Sequence, residues 1–151
     1  MAYTRLKFRE APKIAKFLLR NQEPDGWWPI FPAQPRDSNA STYATAMVTL
    51  ALANYIATNA LEPNEKDHFQ KAVDAGVLWL RRRRIQDQAR WKDYPNAADG
   101  QESLSLSAMA LHVLHKLDRN YDSSISDAWL KKLPEVPTSV LPSEMRRIPF
   151  S

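Results

Sequence analysis

A repeat inside the chain constrains its fold more than any other feature. Phe17-Leu18 is echoed by Trp79-Leu80, 62 positions on, and Ala46-Met47 by Ala108-Met109 at the same offset. Trp28 is echoed by Trp91 at an offset of 63, which places a one-residue slip in the intervening loop. A period of this length, built from helices, means stacked helical hairpins. Neither hairpin can bury its apolar face alone.

Apolar spacing predicts the helices that fill this period. Helix 1 runs from Ala11 to Asn21, with Pro12 in the first turn, where a missing N–H costs nothing. Ile14, Phe17 and Leu18 share one face of it. After Asp25-Gly26 a proline-rich loop leads to helix 2, Ser41 to Thr58, with a stripe of Tyr43, Ala46, Met47, Leu50, Ala53 and Asn54. This helix is apolar nearly all round, the mark of a buried element. Helix 3 runs from Glu65 to Ile85, with Asn64 as its expected N-cap and an arginine-rich last turn that suits the negative end of the helix dipole. Helix 4, Gln101 to Leu117, is again apolar over most of its circumference. A short helix 5 spans Ser124 to Leu133, and Pro134, Pro137, Pro142 and Pro149 then enforce an extended tail. The fold class expected is all-α: two stacked hairpin repeats, residues 11–58 and 65–117, within a domain of residues 1–133, followed by a tail of residues 134–151. Helices 1 and 3, each with a charged side, form an outer layer, and helices 2 and 4 an inner one.

Composition excludes several chemistries. The 151 residues carry a net charge of +4 and no cysteine, which removes disulfides, a thiol nucleophile and cysteine-ligated metals. Three glycines against eleven prolines leave no phosphate-cradling loop. No apolar run approaches the length of a membrane span, about 20 residues. Met1 to Arg9 lacks the apolar core of a signal peptide, so a cytoplasmic location is expected.

Helix 1 leads into Phe17-Leu18-Leu19-Arg20-Asn21-Gln22-Glu23-Pro24-Asp25-Gly26-Trp27-Trp28. This order of aromatic, aliphatic, Gln, Gly and Trp resembles the QW motif of the terpenoid-cyclase and protein-prenyltransferase superfamily. Ser41 to Leu52 is similar to the inner helix that follows such a motif. A degraded second copy joins Trp79-Leu80 to Trp91 through Gln86 or Gln88, without the glycine. The resemblance spans residues 11 to 117 and implies part of an α/α toroid. It assigns Phe17, Gln22, Gly26, Trp28, Trp79 and Trp91 a structural task, stapling hairpins together. The Gln amide can bond orphan backbone groups at helix ends, and the glycine lets the chain reverse.

The catalytic groups that the resemblance would bring are missing from the sequence. Class II cyclases protonate an alkene with Asp-x-Asp-Asp, often followed by Thr-Ala-Met. Setting Thr45-Ala46-Met47 on that tail puts Ser41, Tyr43 and Ala44 where the acids belong. Zinc-dependent prenyl transfer and thioester formation both need a cysteine. No catalytic residue, metal ligand or cofactor is assigned, and the chain is expected not to be an enzyme. His112 and His115 can share a helix face but bring only two ligands, short of the three or four a metal site takes. Asp25, Asp37, Asp93 and Asp99 flank the two loops and suit capping and solvation.

What remains points to partners. Trp27 is surplus to the motif and is expected at the surface. Arg81, Arg82, Arg83 and Arg84 point all round one helix turn, toward solvent, phosphates or acidic partner residues. The tail offers Val140, Leu141, Met145, Ile148 and Phe150 as apolar anchors. The reading is a non-catalytic interaction subunit of a larger protein assembly, compatible with homo-oligomers. The rival is a terpenoid-type enzyme subunit or isoprenoid binder lined by Tyr43, Met47 and Met109. A nucleic-acid role for the arginine cluster comes third, since no recognition motif accompanies it.

Overall fold

The computed structural model describes residues 9–30, 40–85, 90–94, 104–124 and 127. Four helices follow in order among these residues: α1 (Ala11–Arg20), α2 (Thr42–Thr58), α3 (Pro63–Arg83) and α4 (Leu104–Leu117). The fold is all-α as expected, and an isolated bridge between Pro29 and Ala40 is the one β-type pairing described. Residues 1–121 form one compact unit and 122–151 a second. Of the second unit only 122–124 and 127 are described. Helix 5 and the tail therefore lie almost wholly outside the described residues.

Local chemistry sets the helix ends. Ser41 caps α2, its hydroxyl accepting the Ala44 N–H at 3.1 Å. α3 begins earlier than expected: Pro63 takes the first position behind Glu62, so Asn64 lies inside the helix and is not its cap. Proline's fixed φ favours that place, and its missing N–H would be an orphan there anyway. Asp67 instead pairs with Lys71 one turn on, at 2.7 Å.

The core sits between α2, α3 and α4. α3 buries Phe69, Ala72, Val73, Gly76, Val77, Trp79 and Leu80, the face its periodicity marks. α4 buries Leu106, Leu111, Val113 and Leu114. Two stripes behave otherwise. α2 turns Thr42, Thr45 and Thr49 inward with Ala46 and Leu52, and leaves Tyr43 and Met47 about half exposed. Thr42 and Thr45 go inside because the loops bring backbone groups that need partners, whereas the buried Thr49 hydroxyl lies where Gly76 of α3 approaches. Thr42 Oγ1 donates to the Lys92 carbonyl at 2.6 Å, and Thr45 Oγ1 accepts the Trp28 N–H at 3.1 Å. On α1 only Ala15 is fully buried, while Ile14 and Phe17 stand 53% and 55% exposed. α3 packs on both α2 and α4, whereas α1 has α2 as its main helical neighbour. Phe17 therefore does not share the stapling task expected of it, although its counterpart Trp79 is buried.

Candidate functional site

The seam between the hairpins is built from the motif residues. The Gln22 amide donates to the Gly26 carbonyl at 3.1 Å and, across the seam, to the Ala72 carbonyl of α3 at 2.8 Å. Gly26 adopts φ 97°, and a Cβ there would lie 2.7 Å from the Ala75 carbonyl carbon. Only glycine tolerates both the left-handed backbone and that approach. Gly76, inside α3, serves close approach alone: an added Cβ would meet the Trp28 ring at 3.1 Å and press on the Thr49 hydroxyl.

Trp28 and Trp91 are seated alike. The Trp28 indole N–H donates to the Leu18 carbonyl at 2.7 Å, and its backbone N–H to Thr45 Oγ1. In the second hairpin the Trp91 indole donates to the Leu80 carbonyl at 2.8 Å, and its backbone N–H to Ser107 Oγ at 3.1 Å. Leu80 and Ser107 lie 62 positions beyond Leu18 and Thr45, so the sequence offset recurs as a hydrogen-bond offset.

Asp93 closes the seam from the other side. Its Oδ1 accepts from the Ser41 hydroxyl at 2.9 Å and the Tyr43 N–H at 3.2 Å, while its backbone carbonyl accepts the Thr42 N–H at 2.9 Å. A carboxylate at a helix N-terminus satisfies orphan donors and favours the dipole. Its expected place as a capping residue thus holds, but on α2, 52 residues back in the chain.

The expected contact residues divide. Trp27 is buried, at 6% exposure, which corrects its expected surface position. Glu23 N–H donates to the Trp27 carbonyl and Gly26 N–H to the Glu23 carbonyl, so a tight turn folds both tryptophans inward. Arg81 makes a two-pronged ion pair with Asp118, Nε to Oδ2 at 2.8 Å and Nη2 to Oδ1. The Asp118 side chain is 3% exposed. Burial pushes its carboxyl up, but the Arg81 hydrogen bond, the Asn120 N–H and the arginine charge outweigh that and hold it below the ordinary value. Hydrogen bonding to Asp118 raises Arg81. Arg83 stands over the Trp79 ring at 5.2 Å, Arg82 is exposed, and Arg84 is half-buried. The four arginines thus do not act as one patch. Met145, Ile148, Phe150, Asp37 and Asp99 lie outside the described residues.

No reactive cluster assembles among the described residues. His112 and His115 are exposed, with His115 edge-on to Tyr121 at 5.7 Å, and no three ligating side chains converge there. A cleft of about 450 Å³ between α3 and the end of α4 holds Asp74, Arg81, Lys116 and Asp118. Arg81 and Asp118 pair with each other there, Gln70 donates to Asp74 at 2.9 Å and Lys116 to Asn54 at 3.3 Å, and Arg119 also lines the cleft. A smaller groove of about 180 Å³ between α1 and α2 is lined only by apolar and tyrosine side chains. Among the described residues no helix is long and apolar enough to cross a membrane. Compared with family models, curated proteins and solved structures, the chain matches none.

Proposed function

We propose that the chain is a non-catalytic helical-repeat module that docks into a larger protein assembly. One observation carries this reading: Ile14 and Phe17 of α1 and Tyr43 and Met47 of α2 stand 44% to 55% exposed. Large apolar side chains grouped at a surface favour an occupant. The lack of cysteine suits a cytoplasmic setting. Kinship with the α/α toroid hairpins is part of the proposal, supported by the Gln22, Gly26 and Trp28 contacts at the seam.

The test is co-isolation of the tagged chain from its native host, read by quantitative mass spectrometry. One protein assembly should be enriched, and Tyr43→Ser/Met47→Ser or Ile14→Ser/Phe17→Ser should lose it without lowering the melting temperature. A second reading, isoprenoid binding, is favoured by Tyr43 and Met47 standing one turn apart and exposed on α2. Enrichment of polyprenyl lipid, or turnover of a polyprenyl diphosphate, with no protein recovered would replace the first reading by the second. Recovery of nucleic acid lost on Arg82→Ala/Arg83→Ala would replace both.

A further inference from the structure

Resting on the module reading, we infer that the α1–α2 edge seats an amphipathic helix with acidic flanks, contributed by a partner protein. Ile14 and Phe17 lie one turn apart on α1 and are each more than half exposed. Beside them runs the apolar groove of about 180 Å³, walled by Ala11, Ile14 and Leu18 of α1 and by Ala51, Leu52 and Tyr55 of α2. An aliphatic or aromatic side chain from a helix laid along α1 fits such a slot, as helix-in-groove recognition requires.

Charge names the flanks. From Arg9 to Arg20, α1 and its lead-in carry Arg9, Lys13, Lys16 and Arg20 against a single acid, Glu10. Lys13 and Lys16 contact Glu10 and Glu65 at 3.0 and 3.5 Å, with side chains 79% and 56% exposed. Pairs so exposed hold little energy and exchange readily for a partner's carboxylates. Complementary charge would raise the association rate and fix the register.

The second hairpin shows what this face accepts. Val73, Gly76 and Trp79 of α3 stand 62 positions beyond Ala11, Ile14 and Phe17, and all three are buried. A helix face at this place in the repeat is therefore one that takes helical cover. The cover cannot be a second copy in the same geometry. Gly76 lets α3 approach Thr49 and Trp28 closely, and Ile14 forbids that approach on α1.

The experiment uses the full chain and two labelled helical peptides that share one leucine stripe, flanked in one by Glu and in the other by Lys. Fluorescence anisotropy should show salt-sensitive binding of the Glu-flanked peptide only. Phe17→Asp should weaken it about tenfold or more, as loss of an aromatic anchor does. Leu78→Asp, an exposed apolar position on α3, should leave it unchanged. Lys13→Glu/Lys16→Glu should lose the Glu-flanked peptide and gain the Lys-flanked one, an exchange that misfolding cannot produce. Equal binding of both peptides, no binding, or indifference to Phe17→Asp overturns the inference. So does binding to phosphatidylglycerol vesicles without peptide binding, self-association that Phe17→Asp abolishes, or peptide binding seen only after residues 1–8 are removed. A native assembly that still co-isolates with Phe17→Asp refutes this seat while leaving the module reading intact.

Discussion

Truncating Trp28 to alanine tests the seam most directly. Its side chain is 2% exposed, its indole bonds the Leu18 carbonyl at 2.7 Å, and its ring lies against Gly76. Removing a buried tryptophan costs about 3–5 kcal/mol, a figure that includes the cavity left behind. Gly76 on the facing helix has no side chain to relax into the space, which places Trp28→Ala near the middle of that range, about 4 kcal/mol. At about 4 °C per kcal/mol for a unit of this size, the melting temperature should fall by roughly 15 °C. Trp28→Phe separates the terms. It keeps most of the ring and loses only the indole bond, and the Leu18 carbonyl still has the Asn21 N–H at 3.2 Å, so about 1 kcal/mol should go. Trp27→Ala should cost nearly as much as Trp28→Ala, because both are buried. Phe17→Ala, more than half exposed, should cost under about 1 kcal/mol. The assay is thermal unfolding followed by far-UV circular dichroism. Equal losses for Phe17→Ala and Trp28→Ala would refute the seam as drawn.

The Thr49 hydroxyl is buried without a hydrogen-bond partner, so Thr49→Val should be neutral or stabilising by about 1 kcal/mol in chemical denaturation. Gly76→Ala should cost about 1–3 kcal/mol through overpacking, and adding Thr49→Ala should recover much of it. Asp118→Asn should cost about 1–2 kcal/mol at pH 7, between the values for exposed and buried pairs, because Arg81 is 39% exposed and can rehydrate. Since the Asp118 carboxyl is held low in the fold, its contribution is complete above the unfolded value, near 4, and disappears as pH falls through the folded one. The gap between wild type and Asp118→Asn should therefore be flat above about pH 5 and close below about pH 4. Gln22→Ala and Asp93→Ala should each cost about 1–2 kcal/mol in denaturant titration, each removing hydrogen bonds that cross the seam.

Periodicity exposed what is local or repeated. The offset of 62, the pairing of Trp28 with Trp91, the start of α2 near Ser41 and the buried face of α3 all follow from short-range spacing. What spacing cannot carry is which face of an all-round apolar helix meets polar backbone. That choice put Thr42 and Thr45 on the inward side of α2 and Tyr43 and Met47 outside. Trp27 was misread because motif register says nothing of the turn between Glu23 and Trp27, which tucks both rings in. Arg81 read as one of four equivalent arginines, and only the fold brings Asp118, 37 residues on, beside it. Asp93 was legible as a cap but not as a cap for a helix that precedes it. The α1 stripe was legible as apolar, but whether it is covered depends on neighbours that periodicity does not name.

The two loops clasp the hairpins in opposite directions. Loop 1 reaches forward, Gln22 bonding α3 at Ala72; loop 2 reaches back, Asp93 and the Lys92 carbonyl bonding the start of α2. The clasp from loop 2 supplies acceptors that the α2 N-terminus lacks, while Gln22 serves the Gly26 carbonyl of its own turn and the Ala72 carbonyl of α3 together. The conventional repeat array adds units independently of direction, each contacting the next through one reused surface. Here the contact is reciprocal and the surfaces differ, because the place of Gly76 on α3 is taken by Ile14 on α1. The close approach that Gly76 gives α3 is therefore not available on α1, where Ile14 stands 53% exposed. On the module reading proposed above, the apolar and basic edge left on α1 is the surface that a partner unlike this chain would recognise.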